Sequence, residues 1–479
     1  MSNVFHRRGR GGHRGNQSSR RSLRVLCVLC GAMVLLGACS LTPDYQRPAA
    51  PVPDQWPEAA TLAGPAASLN WQTFFPDQRL QALIAAALEN NRDLRIAVAR
   101  VEEARAQYGI ARADRLPTVN LAASRNASLT PPDLSMTGGQ LSTQRYDVNL
   151  AVPSFEADFW GRVGSLSEAA KASYLSTEEA RRAFRLSLIS DVANAYLVLL
   201  EMQERQAIAA DTVKTREETL AMVGKRREVG LAGDLDTLAA DGALQTARSD
   251  LADLSRQRAA AANALRLLVG ASPELPPGRA LEDQGIVGDI PVGIPSEVLV
   301  NRPDVLAAEQ ALLAANANVG AARAAFFPRL LLTATLGTAS KALSGLFDAG
   351  QGAWSFQPVL SYPLFDFGRT AANRDLAEAR KVIAVAQYEK TVQQAFREVA
   401  DLLSARQRLA EQLAAQQANE KTQDERLKLV EARYASGIAS YLEVLDAQRD
   451  RYTARQGAVQ TRRALLVNAA GFYKTLGVE

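Results

Sequence analysis

Proline is kept out of two long stretches of this chain. All 20 prolines fall outside residues 154–272 and 364–479. A proline inside a helix removes a hydrogen bond and costs roughly 3 kcal/mol, so each stretch is free to run as helix over more than 100 residues. Both stretches are rich in Ala, Leu, Arg, Glu and Gln. Both place apolar residues at three-and-four spacing, as in Val192, Tyr196 and Leu199 and in Val392, Phe396, Val399 and Leu403, the spacing of a helix with one buried face. Gly230 and Gly437 mark where a left-handed helix cap would let each stretch turn back on itself. At 1.5 Å per residue, Arg162 to Glu228 makes a helix of about 100 Å, longer than any globular core needs.

The two stretches belong to two copies of one unit. A shift of 211 superposes Asp93 on Asp304, Gly109 on Gly320, Arg112 on Arg323 and Pro117 on Pro328. A shift of 207 superposes Gly161-Arg162 on Gly368-Arg369, and then Gly230, Leu235, Leu238, Ala240, Ala247-Arg248 and Gly270 on Gly437, Leu442, Leu445, Ala447, Ala454-Arg455 and Gly477. The change of shift falls between Pro117 and Gly161, where a loop absorbs it. The organisation expected is a leader (1–38), an extended segment (39–77), repeat 1 (78–270), a linker (271–295) and repeat 2 (296–479). Each repeat holds a helix, a β-hairpin (117–153 and 328–363) and a long helix pair turning at 230 or 437.

The hairpins are read from strict alternation just ahead of the long helices. Tyr146, Val148, Leu150 and Val152 alternate with Arg145, Asp147 and Asn149, and Trp354, Phe356, Pro358, Leu360 and Tyr362 with Ser355, Gln357, Val359 and Ser361. Leu330, Leu332, Ala334 and Leu336 form a third such row, and Val119, Leu121 and Ala123 a weaker fourth. Period two with one apolar face is what a half-buried strand requires. Runs of about ten residues suit a tilted strand crossing a bilayer. A soluble hairpin laid on a core satisfies the same alternation.

The N-terminus decides between them. Residues 1–24 are basic and polar, 25–38 are almost wholly apolar, and the run closes on Leu36-Gly37-Ala38-Cys39. This is a secretory signal, too short in its apolar part for the roughly 20 residues of a spanning helix. Its end resembles the lipobox of bacterial lipoproteins, at which the chain is cut and Cys39 acylated; simple secretion is the plainer alternative. Acyl chains contribute about 0.8 kcal/mol per buried CH₂, so a multiply acylated Cys39 would hold the protein on a bilayer. Ser40 in place of aspartate points, on the same resemblance, to the outer membrane. The long basic head suggests a translation start further downstream.

Removal of the leader also removes His6, His13, Cys27 and Cys30, leaving one cysteine and no histidine. That excludes a Ser-His-Asp or Cys-His active site, a Cys/His zinc site and an intrachain disulfide. No cofactor and no catalysis are expected. Seven of the 55 basic residues are leader arginines, so the remainder carries a net charge of −3 against 51 acidic residues, and a nucleic-acid partner loses its support.

Four spanning strands cannot close a barrel, and open edges are not tolerated in lipid. The chain must therefore associate: two copies give eight strands and a filled interior, whereas three give twelve and an aqueous lumen. Helices of about 100 Å likewise need lateral neighbours.

At this point the chain resembles the TolC-like outer-membrane factors, in the lipoprotein branch that includes OprM and NodT. The residues that carry the resemblance are the lipobox cysteine Cys39, Pro43-Asp44-Tyr45-Gln46-Arg47-Pro48, the hairpin exits Phe159-Trp160-Gly161-Arg162 and Pro363-Leu364-Phe365-Asp366-Phe367-Gly368-Arg369, and the turn running from Gly437-Ile438-Ala439-Ser440-Tyr441-Leu442 to Arg449. The resemblance implies a mainly α fold with a small β part: a homotrimeric transmembrane β-barrel, four strands per chain, continuous with a long periplasmic α-helical barrel. It implies a passive exit duct in a tripartite efflux system, working with a periplasmic adaptor (membrane fusion) protein and an inner-membrane pump of the RND type, in outer-membrane lipid. A type I secretion channel and a coiled-coil structural lipoprotein are the alternatives.

By the same resemblance the Gly230 and Gly437 turns form the periplasmic tip. Leu442 takes the place of the leucine that narrows the closed tip, and Asp446 that of an aspartate in its polar lock. Leu235 and Asp236 are the offer of repeat 1, which has Ala239 where Asp446 would correspond, so the lock is expected to be threefold. Ala435 replaces an arginine present in some relatives. Ordinary helix packing and a solvated carboxylate are the plainer readings of Leu442 and Asp446. Gly230, Gly437, Ala439 and Ser440 are also expected to let an adaptor's helical hairpin approach closely.

Overall fold

A computed structural model describes residues 40–53, 55–56, 70–136, 138–286, 299 and 301–476. The leader, Cys39, most of the linker's C-terminal half and Gly477 lie outside the described residues. The chain divides into two compact units, one of Gly109–Ala169 and Ala315–Ala379 with the described residues up to Asp44, the other of Tyr45–Tyr108, Ala170–Ala314 and the chain from Arg380 onward.

The elements repeat in length as well as in sequence. Helix α1 (Gln78–Asn90) precedes α2 (Arg92–Ala113), strands β1 (Asn120–Thr130) and β2 (Leu141–Ala157), α3 (Arg162–Glu228) and α4 (Asp234–Val269). The second set is α5 (Pro303–Ala324), β3 (Arg329–Ser340), β4 (Gly352–Ser361), α6 (Arg369–Ala435) and α7 (Tyr441–Leu476). The helices α2 and α5 have 22 residues each, α3 and α6 67 each, and α4 and α7 36 each. The fold is mainly helical, with four strands among the described residues and two internal repeats, as expected.

The first unit is built on one antiparallel sheet of order β1-β2-β3-β4. Its register puts Leu121 opposite Leu150, Leu150 opposite Leu336 and Leu336 opposite Trp354. One face is therefore mostly Leu, Trp, Phe and Val, with Arg125 laid over the Tyr146 ring (5.6 Å), and most of its large apolar side chains are exposed, Leu121, Leu150, Leu336, Trp354, Phe356 and Leu360 among them. The other face is hydroxylic and charged: Ser128 bonds Thr143 (2.7 Å), Thr335 bonds Ser355 (2.6 Å), and the Arg145 Nε donates to Asp147 (2.8 Å). Strand β2 runs longer than its alternation indicates. Between Val152 and Phe155 the register slips, leaving Pro153 and Ser154 opposite Thr333 alone. A bulge is where a strand can hold a proline without losing a ladder donor, so the strand passes Pro153 and continues to Ala157.

The second unit is helical, and its largest core packs Leu80, Leu83, Ile84 and Ala87 of α1 against Ile189, Val192, Tyr196 and Leu197 of α3 and Phe472, Tyr473 and Leu476 of α7. At its edge sits the buried carboxylate of Asp77. It caps α1 by accepting from the Arg79 N–H (2.8 Å), and it also accepts from the Tyr196 hydroxyl (3.0 Å), the Gln284 amide (2.9 Å) and the Arg279 N–H (3.1 Å). Burial alone would raise its pKa, but the hydrogen bonds from Gln284, Arg279, Arg79 and Tyr196 outweigh it and hold the carboxyl below the usual range. One acid thus ties α1, α3 and the linker together.

Replacing Asp77 with Ala removes a helix cap and strands the buried Tyr196 hydroxyl, whereas the Gln284 amide keeps the Arg279 and Ala280 carbonyls; this is expected to lower stability by about 2–4 kcal/mol, read as an earlier thermal midpoint of the detergent-solubilised protein. Because the folded pKa is depressed, the stabilisation is fully present above the ordinary aspartate range and is lost as pH falls through the folded value. Asp77→Asn should abolish that pH dependence.

Candidate gate and docking turns

The two helix-hairpin turns fold by the same backbone device. Gly230 and Gly437 have φ of 76° and 73°, a left-handed conformation that a Cβ disfavours. The Gly230 N–H donates to Arg227 O and the Leu231 N–H to Arg226 O; the Gly437 N–H donates to Tyr434 O and the Ile438 N–H to Arg433 O. This double closure satisfies the last carbonyls of α3 and α6 and reverses the chain. Usually the residue after the glycine packs back onto its own helix; here Leu231 and Ile438 stand exposed, with Val229, Leu235, Leu238 and Leu442.

The outgoing helices start differently. At Ser440 the N–H donates to the Glu443 carboxylate (2.9 Å) and the Glu443 N–H to the Ser440 hydroxyl (3.4 Å), a reciprocal cap. The Ser440 N–H and the Ser440 hydroxyl, which donates to the same carboxylate oxygen (3.2 Å), hold the Glu443 carboxyl below its usual pKa. In repeat 1 the outgoing helix α4 has Gly233 at its start, whose N–H donates to Asp236 (3.2 Å). Asp236 is thereby engaged in capping α4.

The closures across the turns also differ at equivalent positions. Arg227 and Asp234 form an ion pair (2.6 Å) in repeat 1. Their counterparts 207 residues on are Tyr434 and Tyr441, whose rings lie 5.8 Å apart. Arg226 joins the two hairpins by laying its guanidinium 4.6 Å over the Tyr434 ring. Val223, Ala240, Tyr434, Tyr441 and Val444 form a small core beneath, with Ala439 and Ala232 packed on it. Burial pushes the Tyr441 hydroxyl up to about 12, against the opposing pull of Arg216. The sequence reading missed this tyrosine pair, although both residues flank Gly437; the signal was two aromatics seven residues apart across a turn.

Leu442 and Asp446 occupy successive turns of one face of α7, Leu442 exposed and Asp446 partly so. Asp446 pairs with Arg449 (3.3 Å), which also reaches Asp450 (3.3 Å), and Asp450 pairs with Arg426 of α6 (2.6 Å). Arg426 holds the Asp450 carboxyl below its usual pKa. Leu235 is exposed at the position equivalent to Leu442. No group of three or more His, Cys, Asp or Glu suited to a metal ion occurs among the described residues.

The model of the outer membrane efflux protein family matches residues 83–271 and 294–478, one match per repeat. The chain is similar to outer membrane protein OprJ of Pseudomonas aeruginosa, 47% identical over 424 residues that make up 87% of this chain and 88% of that protein. It is also similar to the solvent efflux pump outer membrane protein SrpC of Pseudomonas putida, 43% identical over 93% of this chain and 96% of that one. Among solved structures, the open state of the Neisseria gonorrhoeae MtrE outer membrane channel superposes with a TM-score of 0.83 at 38% identity, covering 92% of this chain and 98% of that one. The chain belongs to the outer membrane efflux protein family.

The Ser440–Glu443 cap is complete above the ordinary glutamate range and is lost as pH falls through the depressed value. Limited digestion by an acid-active protease is therefore expected to cut near residues 436–440 increasingly on acidification. In Glu443→Ala, which has nothing to accept from the Ser440 N–H, the cutting should be raised already at the upper end of the protease's pH range and should change little with further acid.

Proposed function

We infer that the protein is the outer-membrane channel of a tripartite efflux system, a passive exit duct for small molecules driven by an inner-membrane pump. The observation that carries this reading is the sheet: both faces are exposed, one apolar and one hydroxylic, and both edge strands have a free side. Such a sheet fits a wall with hydrocarbon outside and water inside. Three copies supply twelve strands, enough to enclose a lumen, and the paired long helices need lateral neighbours of the kind that further copies supply. Acylation of Cys39 would anchor each chain to the outer-membrane lipid. An adaptor of the membrane fusion type, in complex with an RND-type pump, would dock at the Gly230 and Gly437 turns, where exposed Leu231 and Ile438 offer apolar contact and Ala439 and Ser440 allow close approach.

The gate of this reading is a ring of Leu442 side chains that closes the tip by dewetting, backed by a ring of Asp446 carboxylates favouring cations. Leu235 would line the tip beside Leu442. Asp236 lies at the same level, but its bond to Gly233 leaves it a lesser part of the lock. The partnership of Asp446 with Arg449 offers a way to balance charge while the lumen is shut.

Purified protein should run as a trimer in detergent and conduct ions in planar bilayers; a non-conducting monomer would refute the duct. Leu442→Ala and Asp446→Ala should each raise the single-channel conductance, and an unchanged current would remove that residue from the gate. Deleting the gene should raise susceptibility to small toxic compounds, with recovery on complementation.

A further inference from the structure

Where β2 leaves the sheet, the Trp160 ring stacks on Phe327 (centroids 4.5 Å apart, planes at 25°), and its indole N–H donates to Pro328 O (3.0 Å). This joint fastens the exit of the first hairpin to the start of the second. The repeat supplies the same parts again. The shift of 207 carries Trp160 to Phe367 and Gly161 to Gly368, and the shift of 211 carries Leu116-Pro117 to Phe327-Pro328. Phe367 follows β4 and Leu116-Pro117 precede β1, on opposite edges of the sheet, so one chain cannot bring them together.

Both pieces stand bare. Phe367 is 104% exposed and Leu116 70%, against 36% for Trp160 and Phe327. Phe367 is also the one non-glycine residue with positive φ (55°) among the described residues. A bulky side chain there is strained. The turn is held by Asp366, which accepts from the Gly368 N–H (3.0 Å), the Thr370 N–H (2.8 Å) and the Thr370 hydroxyl. Strain that only delivers a phenyl ring to water has no return within the chain.

We propose that Phe367 is an intersubunit latch, seated on the Leu116–Pro117 corner of a second copy of this chain as Trp160 is seated on Phe327–Pro328 of its own. The proposal rests on the trimeric reading above and adds the residues of its seam. The strand register supports it independently. Transferring the β2–β3 pairing through the repeat, without the bulge residue, sets Trp354 opposite Leu129 of the second copy, Phe356 opposite Ala127, Leu360 opposite Ala123 and Tyr362 opposite Leu121. These pairs all lie on the mostly apolar face, with Pro358 opposite Arg125 between them, and a slip of one residue would mix the faces.

The test uses the full-length lipoprotein in its membrane. Leu116→Cys/Phe367→Cys, treated with a short bismaleimide, should yield covalent dimers and trimers, as should the seam pair Ala127→Cys/Phe356→Cys; the single variants should not. Cross-linking at the seam alone would overturn the latch and leave the trimer standing, and cross-linking at neither would overturn both. A fluorophore on Phe367→Cys quenched by lipid-borne nitroxide instead of cross-linked would place the side chain in the bilayer and likewise overturn the latch. Phe367→Gly relieves the backbone strain, so an idle ring predicts trimers that resist heat and SDS as well as or better than before. The latch predicts dissociation at a lower temperature, with Phe367→Trp close to the parent.

Discussion

Backbone hydrogen bonding at a free sheet edge is the constraint on which the rest depends. Strands β1 and β4 each have a neighbour on one side only, and in hydrocarbon an unpaired N–H or C=O costs several kcal/mol. A sheet of this kind has no stable place in a bilayer until another copy completes its ladders. The amphipathic faces carry the same message, because neither is covered within the chain and each suits a different solvent. Association is therefore a condition of the fold in its membrane setting and not an addition to it.

The two repeats agree in length and differ in chemistry. Equal helices of 67 and 36 residues bring both turns to equivalent positions along their hairpins. An ion pair, Arg227–Asp234, then closes one turn, and a tyrosine pair closes the other. The helix starts diverge in the same way, Gly233 with Asp236 against Ser440 with Glu443. At the hairpin exits an engaged Trp160 is matched by a bare Phe367. In the proposed trimer this means sixfold spacing with threefold chemistry, so the turns would present two kinds of surface in alternation.

What was legible in the sequence was what local rules control. The missing prolines outlined α3, α4, α6 and α7, and two glycines marked turns whose left-handed geometry the structure shows. Alternation located four strands, because one face of each is mostly apolar over the part that alternates, although Arg125 and Gln144 share that face in β1 and β2. The end of β2 was not legible, since Pro153 breaks the alternation and only the pairing with β3 reveals the bulge that rescues it. The role of Asp77 was hidden for a related reason: Tyr196 and Gln284 lie 119 and 207 residues away, and no spacing rule links them. With Leu235, Asp236 reads as the first repeat's offer to the gate; its hydrogen bond to Gly233 was not legible, because that bond is decided by how the chain enters the helix.

The matched helix lengths bear on how such a chain can change over time. Inserting or deleting a single residue in α3 would rotate everything beyond it by about 100° and displace it by about 1.5 Å, swinging the packed side of that hairpin by more than a quarter turn while its twin stayed put. Substitutions meet no such penalty. Drift in this molecule should therefore be generous in residue identity and severe in spacing, with tolerated insertions confined to the surface loops between β1 and β2 and between β3 and β4.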